Sequence, residues 1–252
     1  MGGAEMTPVL YEASGGIGLV TLNRPEALNA INSELLEALV TALTTAIRAD
    51  DVSVVLLRAS GRAFCAGDDL KEFRAKAPDE VSARRFVERL QEVTRLLMLG
   101  DKPVVCAVQG WIVGGGTAWL LNADFAIVAD DVTLFCPEAG LGLFPSGGMT
   151  LLLAERCGAT AANEVLWRGA RWNAAALLEH SLATQVVARA DLDPAALALA
   201  HEILRLPAAA RLRLKRAASR LLRARLDEAL AYEQQCCVAA ALEARIDGPG
   251  PR

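Results

Sequence analysis

Short apolar runs of strand length alternate along this chain with amphipathic stretches of helix length, and that alternation limits the fold more than any other feature. Residues 9–12 and 17–22, joined by Ser14-Gly15-Gly16, read as a hairpin, and residues 52–58, 103–109, 125–129 and 132–135 read as further strands. Residues 33–48 place Leu35, Leu36, Leu39, Leu43 and Ile47 on one helical face, and residues 80–98 predict a longer helix that ends at Gly100. Further helices are expected after Gly116 and over 149–156. Strands separated by helices indicate crossover-connected β/α units. From about Pro194 onward only helical patterns remain, so the expected organisation is an α/β core over residues 1–193 and a helical region over 194–252. In that region Arg213, Arg216, Arg220 and Arg223 form a stripe read as a solvated face, with Leu214, Ala218, Leu221 and Leu222 opposite.

Composition removes several classes of function. A hydrophobic fraction of 53% against 22% charged residues predicts a substantial core. A net charge of −4 argues against a dedicated nucleic-acid binder. None of the six cysteines (Cys65, Cys106, Cys136, Cys157, Cys236 and Cys237) belongs to a C-x-x-C pair, and His180 and His201 are the two histidines. A disulfide framework or a metal site is therefore not expected, and the thiols are read as buried or idle in a reducing compartment. The first residues lack a basic and an apolar segment, and no apolar run approaches the ~20 residues that span a bilayer. The expectation is a cytoplasmic protein without membrane association.

Three segments carry chemistry. Ala63-Phe64-Cys65-Ala66-Gly67-Asp68-Asp69-Leu70-Lys71 brings small residues, hence close backbone approach, to the start of a helix, with Asp69 and Glu72 placed as a capping box. Residues 102–110, followed by Trp111-Ile112-Val113-Gly114-Gly115-Gly116-Thr117, again run from strand through glycine turn to helix. Helix starts present unpaired N–H groups, so two of them can converge on one developing oxyanion. Phe135-Cys136-Pro137-Glu138 then sets a carboxylate beside the glycine-lined stretch Gly140–Gly148. The run from Gly110 to Thr117 mimics a phosphate-binding loop but lacks its lysine, and Gly16-Ile17-Gly18 precedes a strand rather than a helix.

In this order, and preceded by Leu22-Asn23-Arg24-Pro25-Glu26-Ala27-Leu28-Asn29-Ala30, the segments resemble the crotonase family, the enoyl-CoA hydratase/isomerase superfamily, over most of the chain. The resemblance implies an α/β fold, a spiral of ββα units with a C-terminal helical region, assembled as a homotrimer or hexamer. It implies an acyl-coenzyme A or acyl-carrier-protein thioester as substrate, with no further cofactor. The backbone N–H groups of Asp68 and Gly115 would be the oxyanion donors, and Glu138 the carboxylate that exchanges a proton with the substrate's α-carbon. Arg24, Ala27, Ala66, Asp68, Leu70 and Gly114 would lie along the coenzyme A and pantetheine path.

Three departures shape the expected reaction. Hydratases of this family carry a second glutamate three residues after the second oxyanion glycine, where this chain has Ala118. Asp68 replaces a small neutral residue at the first oxyanion position, so its side chain is expected to turn away from the enolate or to be neutral. The family's closing helix, with its acidic-Gly-aromatic pattern, is not found after Leu242. With one glutamate, the expected chemistry is a double-bond shift in an enoyl thioester. Hydration or dehydration, other enolate chemistry such as decarboxylation or carbon–carbon bond formation, and a catalytically idle acyl-CoA-binding subunit are the alternatives.

Overall fold

The computed structural model describes residues 7–72 and 79–243. β1 (Val9–Ser14) and β2 (Ile17–Leu22) form the antiparallel hairpin that the Gly15-Gly16 turn calls for. β3 (Val54–Ala59), β4 (Val104–Val108), β6 (Phe125–Ala129) and β9 (Gln185–Val187) add in parallel, giving the order β1-β2-β3-β4-β6-β9. The register pairs Ile17 with Val54, Val55 with Val104, and Val105 with Phe125. A smaller sheet joins β5 (Trp111–Val113), β7 (Thr133–Phe135) and β8 (Trp172–Asn173). Strand β4 is apolar and buried along its whole length, as a parallel strand covered on both faces must be.

The crossovers begin where the sequence offers a cap. Helix α1 (Ser33–Arg48) starts at Asn32, whose side chain accepts the Leu35 N–H, and it buries Leu35, Leu36, Leu39 and Leu43. Helix α2 (Glu80–Leu99) starts at Asp79, whose carboxylate accepts the Ser82 N–H at 2.7 Å, and it packs on α1. Helix α3 (Gly115–Asn122) is buried along every residue, which places it in the core. Helices α4 (Met149–Cys157), α5 (Ala159–Arg168) and α6 (Ala174–Glu179) lead to β9.

Two helices complete the described chain. α7 (Leu192–Leu204) lies across β3, β4 and β6 and buries Leu192, Ala196, Ala200 and Ile203, so the core continues across position 194. α8 (Ala208–Glu243) runs along α2 and reaches α4. Its striped arginines are exposed as expected, but its buried face is not the expected one. Leu214 and Leu221 are 64% and 84% exposed, whereas Lys215, Ser219, Leu226, Leu230 and Glu233 are buried. The rotation follows from Lys215, whose ammonium donates to the Leu97 carbonyl in the last turn of α2 (2.6 Å) and to Asp124 (2.7 Å). Arg216 adds a two-pronged contact to Asp101 at 2.8 and 2.7 Å. The expected lack of a closing helix falls on residues 244–252, outside the described residues. Among the described residues no helix is long and apolar enough to cross a membrane.

Candidate active site

The first segment is held from below by Asn29. Buried, and left-handed at φ 55°, it accepts the Arg24 N–H at 2.8 Å and donates to the carbonyls of Ser60 and Ala63 at 2.9 Å each. The segment then pairs on both sides. The Ile31 N–H donates to Gly67 (2.8 Å) and the Asp69 N–H to Ile31 (2.9 Å), while Cys65 exchanges bonds with Trp111 and Val113 of β5 at 3.1 and 2.9 Å. Extended residues alternate sides, so Asp68 points its N–H away from Ile31. That N–H has no protein acceptor among the described residues.

The second free donor lies at the start of α3. Gly115 is its first residue, so its N–H has no partner within the helix, and no other described residue accepts it. Gly114 makes the turn at φ 50°, and a Cβ there would collide with Oε1 of Glu138. Only glycine allows the carboxyl to lie against this turn. A Cβ at Gly115 would stand 3.9 Å from Oδ1 of Asp68. The Gly114-Gly115 turn therefore has Glu138 on one residue and Asp68 on the next.

Glu138 follows Pro137 at the end of β7, where its carbonyl accepts the N–H groups of Leu141 (3.0 Å) and Leu143 (2.8 Å). Its Oε2 is buried without a hydrogen-bond partner. Burial, with a further push from the Asp68 charge, raises the Glu138 carboxyl to about 7. Burial raises Asp68 to about 6. The Cys65 thiol beneath them is pushed up to about 12, chiefly by burial, and is inert at neutral pH.

Beside the turn opens a cavity of about 140 Å³. It is lined by Asp68 and Ile31, by Phe86, Val87 and Leu90 of α2, by Leu143 and Phe144, and by Cys237 and Ala241 from the far end of α8. A mainly apolar lining with a few polar groups suits an acyl chain. A second depression, lined by Gly158, Thr160, Glu164, Trp172 and His180, includes none of the three segments.

The sequence-predicted residues are distributed as follows. Asp68, Gly114, Gly115 and Glu138 meet at one turn. Arg24 does not line the cavity, since its guanidinium donates to the Ala30 carbonyl (2.6 Å) and to Asp69 (3.4 Å). Ala27 belongs to the short 25–27 helical turn, and the Ala66 N–H is taken by the Leu28 carbonyl at 3.1 Å. Leu70 opens the helical stretch that Asp69 caps. Of the two expectations for Asp68, turned away or neutral, the structure points toward the second: Asp68 lines the cavity, its Oδ1 lies near Gly115, and burial raises its carboxyl to about 6. Ala118, like Glu138, Gly114 and Gly115, is not among the residues that line the cavity; it is 2% exposed, and its methyl lies 2.7 Å from where a Cβ on Gly147 would be.

Sequence reasoning missed Glu233 of α8. Its buried carboxylate accepts the N–H groups of Gly148 (2.7 Å) and Thr150 (3.0 Å) and the Thr150 hydroxyl (2.7 Å). It caps α4 from 83 residues away and holds the glycine wall behind Glu138. No local signal marks such a cap. Among the described residues no group of three or more His, Cys, Asp or Glu is placed to hold a metal ion.

Residues 12–247 match the family model described as enoyl-CoA hydratase/isomerase. The chain belongs to this family. It is 32% identical over 233 residues to a short-chain-enoyl-CoA hydratase of Clostridium acetobutylicum, covering 92% of this chain and 88% of that protein. It is also 32% identical over 184 residues to a trans-2-decenoyl-[acyl-carrier-protein] isomerase of Streptococcus mutans, covering 72% and 70%. The crystal structure of an enoyl-CoA hydratase/isomerase from Xanthobacter autotrophicus Py2 superposes with a TM-score of 0.86 at 27% identity, covering 97% of this chain and 99% of that one. In this member of the crotonase family, the turn between β5 and α3 is the point on which the three segments converge.

Proposed function

We propose that this turn stabilises the enolate of an acyl thioester, on coenzyme A or an acyl carrier protein, while Glu138 moves a proton to or from the α-carbon. The observation that carries the reading is the buried Glu138 carboxyl against Gly114, its Oε2 without a hydrogen-bond partner, one residue from the unpaired N–H of Gly115 and near the segment that bears the unpaired N–H of Asp68. Deprotonating the α-carbon puts negative charge on the thioester oxygen. Two fixed N–H donors and the α3 N-terminus oppose that cost, one such donor being worth ~3–4 kcal/mol of barrier. A carboxyl at about 7 is balanced between taking and returning a proton at neutral pH.

The overall conversion we propose is a double-bond shift between the α,β and β,γ positions of an enoyl thioester, because position 118 supplies no second glutamate. It moves protons only, so the reaction calls for no redox or metal cofactor. Hydration is the second reading, favoured by the Asp68 carboxyl close to the same turn and by the hydratase names among the relatives. A panel of enoyl thioesters, followed by absorbance of the conjugated product and by mass, separates the two: a shift leaves mass unchanged and hydration adds one water. Absence of α-proton exchange with every thioester offered, saturated ones included, would overturn the enolate reading altogether. We further propose that the chain assembles as a homotrimer or hexamer, with the exposed Leu214 and Leu221 of α8 as part of what is covered.

A further inference from the structure

Glu138 is not alone in the site. Asp68 lines the cavity, which Glu138 does not, but the two meet at the turn: the Asp68 carboxyl makes no hydrogen bond among the described residues, and its Oδ1 lies near Gly115 as Glu138 Oε1 lies against Gly114. The other titratable groups around it are Cys65 beneath, Cys237 across the cavity, and Asp69 and Glu72 on its wall. No lysine or arginine is among the described residues that line the cavity, and Arg24 nearby is engaged with Asp69. Two carboxyls set against adjacent residues of one turn, with no lysine or arginine among the described residues that line the cavity, resist ionising together, so one proton stays on the pair near neutrality. A pair of that kind holds a proton donor and a proton acceptor at once.

We propose that Asp68 acts twice: its N–H holds the thioester oxygen, and its carboxyl is the second proton-transfer group of the site, partner to Glu138. This rests on the enolate reading given above. In the double-bond shift, the ionised carboxyl takes a proton from one carbon, and that C–H pair becomes part of the new double bond. The pair released from the old double bond takes the proton of the other carboxyl. Nothing is oxidised, and return of one proton between the carboxyls through solvent resets the site. If water rather than the first carbon gives its proton to the ionised carboxyl, its hydroxyl adds at the β-carbon and the double-bond pair takes the other carboxyl's proton at the α-carbon. Either way, the work that position 118 performs in the family's hydratases moves here to position 68, on the opposite donor of the oxyanion pair.

The test is Asp68→Asn, which keeps the backbone N–H and nearly the same shape but cannot titrate. Two rates are read on wild type and variant: conversion of an enoyl-CoA (isomer or hydrated product), and α-proton exchange of a saturated acyl-CoA, which needs only Glu138 and the two N–H groups. The expected loss in conversion is at least ~10²-fold, at least tenfold greater than any loss in exchange. Wild-type conversion should fall on both sides of neutral pH, and the variant should lose one of those limbs. Conversion within threefold of wild type, or equal losses in both rates, would overturn the proposal. Wild type that fails to exchange at all would overturn the enolate reading and this inference with it, an outcome distinguishable from the first two.

Discussion

The Glu138 carboxyl is sheltered from water with its Oε2 lacking a partner, and a group held so is expensive to ionise. Replacing it with glutamine removes the titration and keeps the shape. Glu138→Gln should lower α-proton exchange by at least ~10²-fold while acyl-CoA affinity, read by calorimetry, stays within a few-fold. The same substitution should stabilise the protein, and the pH dependence gives the sign. The folded-state pKa is raised, from 4.5 to about 7, so wild type bears no penalty below pH 4.5. The penalty grows as pH rises through that window and is constant above it. Unfolding free energies of variant and wild type, read from urea titrations, should coincide near pH 4.5 and separate by up to about 3 kcal/mol by pH 8. Curves that stay parallel across the window would mean that Glu138 is better solvated than its surroundings indicate. Ala118→Glu belongs to the same scale. With its methyl against Gly147, a carboxylate there would be buried without a cation, so the expected outcome is lost stability of several kcal/mol and no gain in hydration.

At the scale of elements, the parts that were readable from the sequence are those whose cause is local. The glycine turns at 15–16 and 114–116, the apolar runs of β3 and β4, and the Asn32 start of α1 each carry their reason within a few residues. What was not readable depends on partners far along the chain. Strands β8 and β9 span only two and three residues, too short for periodicity to mark. The buried side of α8 is set by Lys215 and Glu233, polar residues that a hydrophobic pattern assigns to solvent and that are buried because α2 and α4 offer them terminal carbonyl and N–H groups. The direction of Asp68 was not legible, since the strand pairing that orients its backbone is made with Ile31. Glu233→Ala should cost ~1–3 kcal/mol in chemical denaturation, because it leaves the Gly148 and Thr150 donors buried and unpaired. It should also weaken binding of long-chain more than short-chain thioesters, as the wall from Leu143 to Ser146 loses its anchor.

For the whole molecule, the proposed assembly predicts that light scattering at micromolar concentration reports three or six copies, and that Leu221→Lys shifts the distribution toward smaller species. A monomeric wild type would contradict it. One feature of the chain's layout bears on how such a protein is made. The cavity is lined by residues from Ile31 to Ala241, so its walls are drawn from nearly the full described length. Synthesis proceeds from the N-terminus, and the strands, α1 and the glycine turn at 114–116 leave the ribosome well before the last turns of α8. Until those turns emerge, the cavity lacks the part of its wall that Cys237 and Ala241 supply, and the N–H groups of Gly148 and Thr150 lack the Glu233 carboxylate.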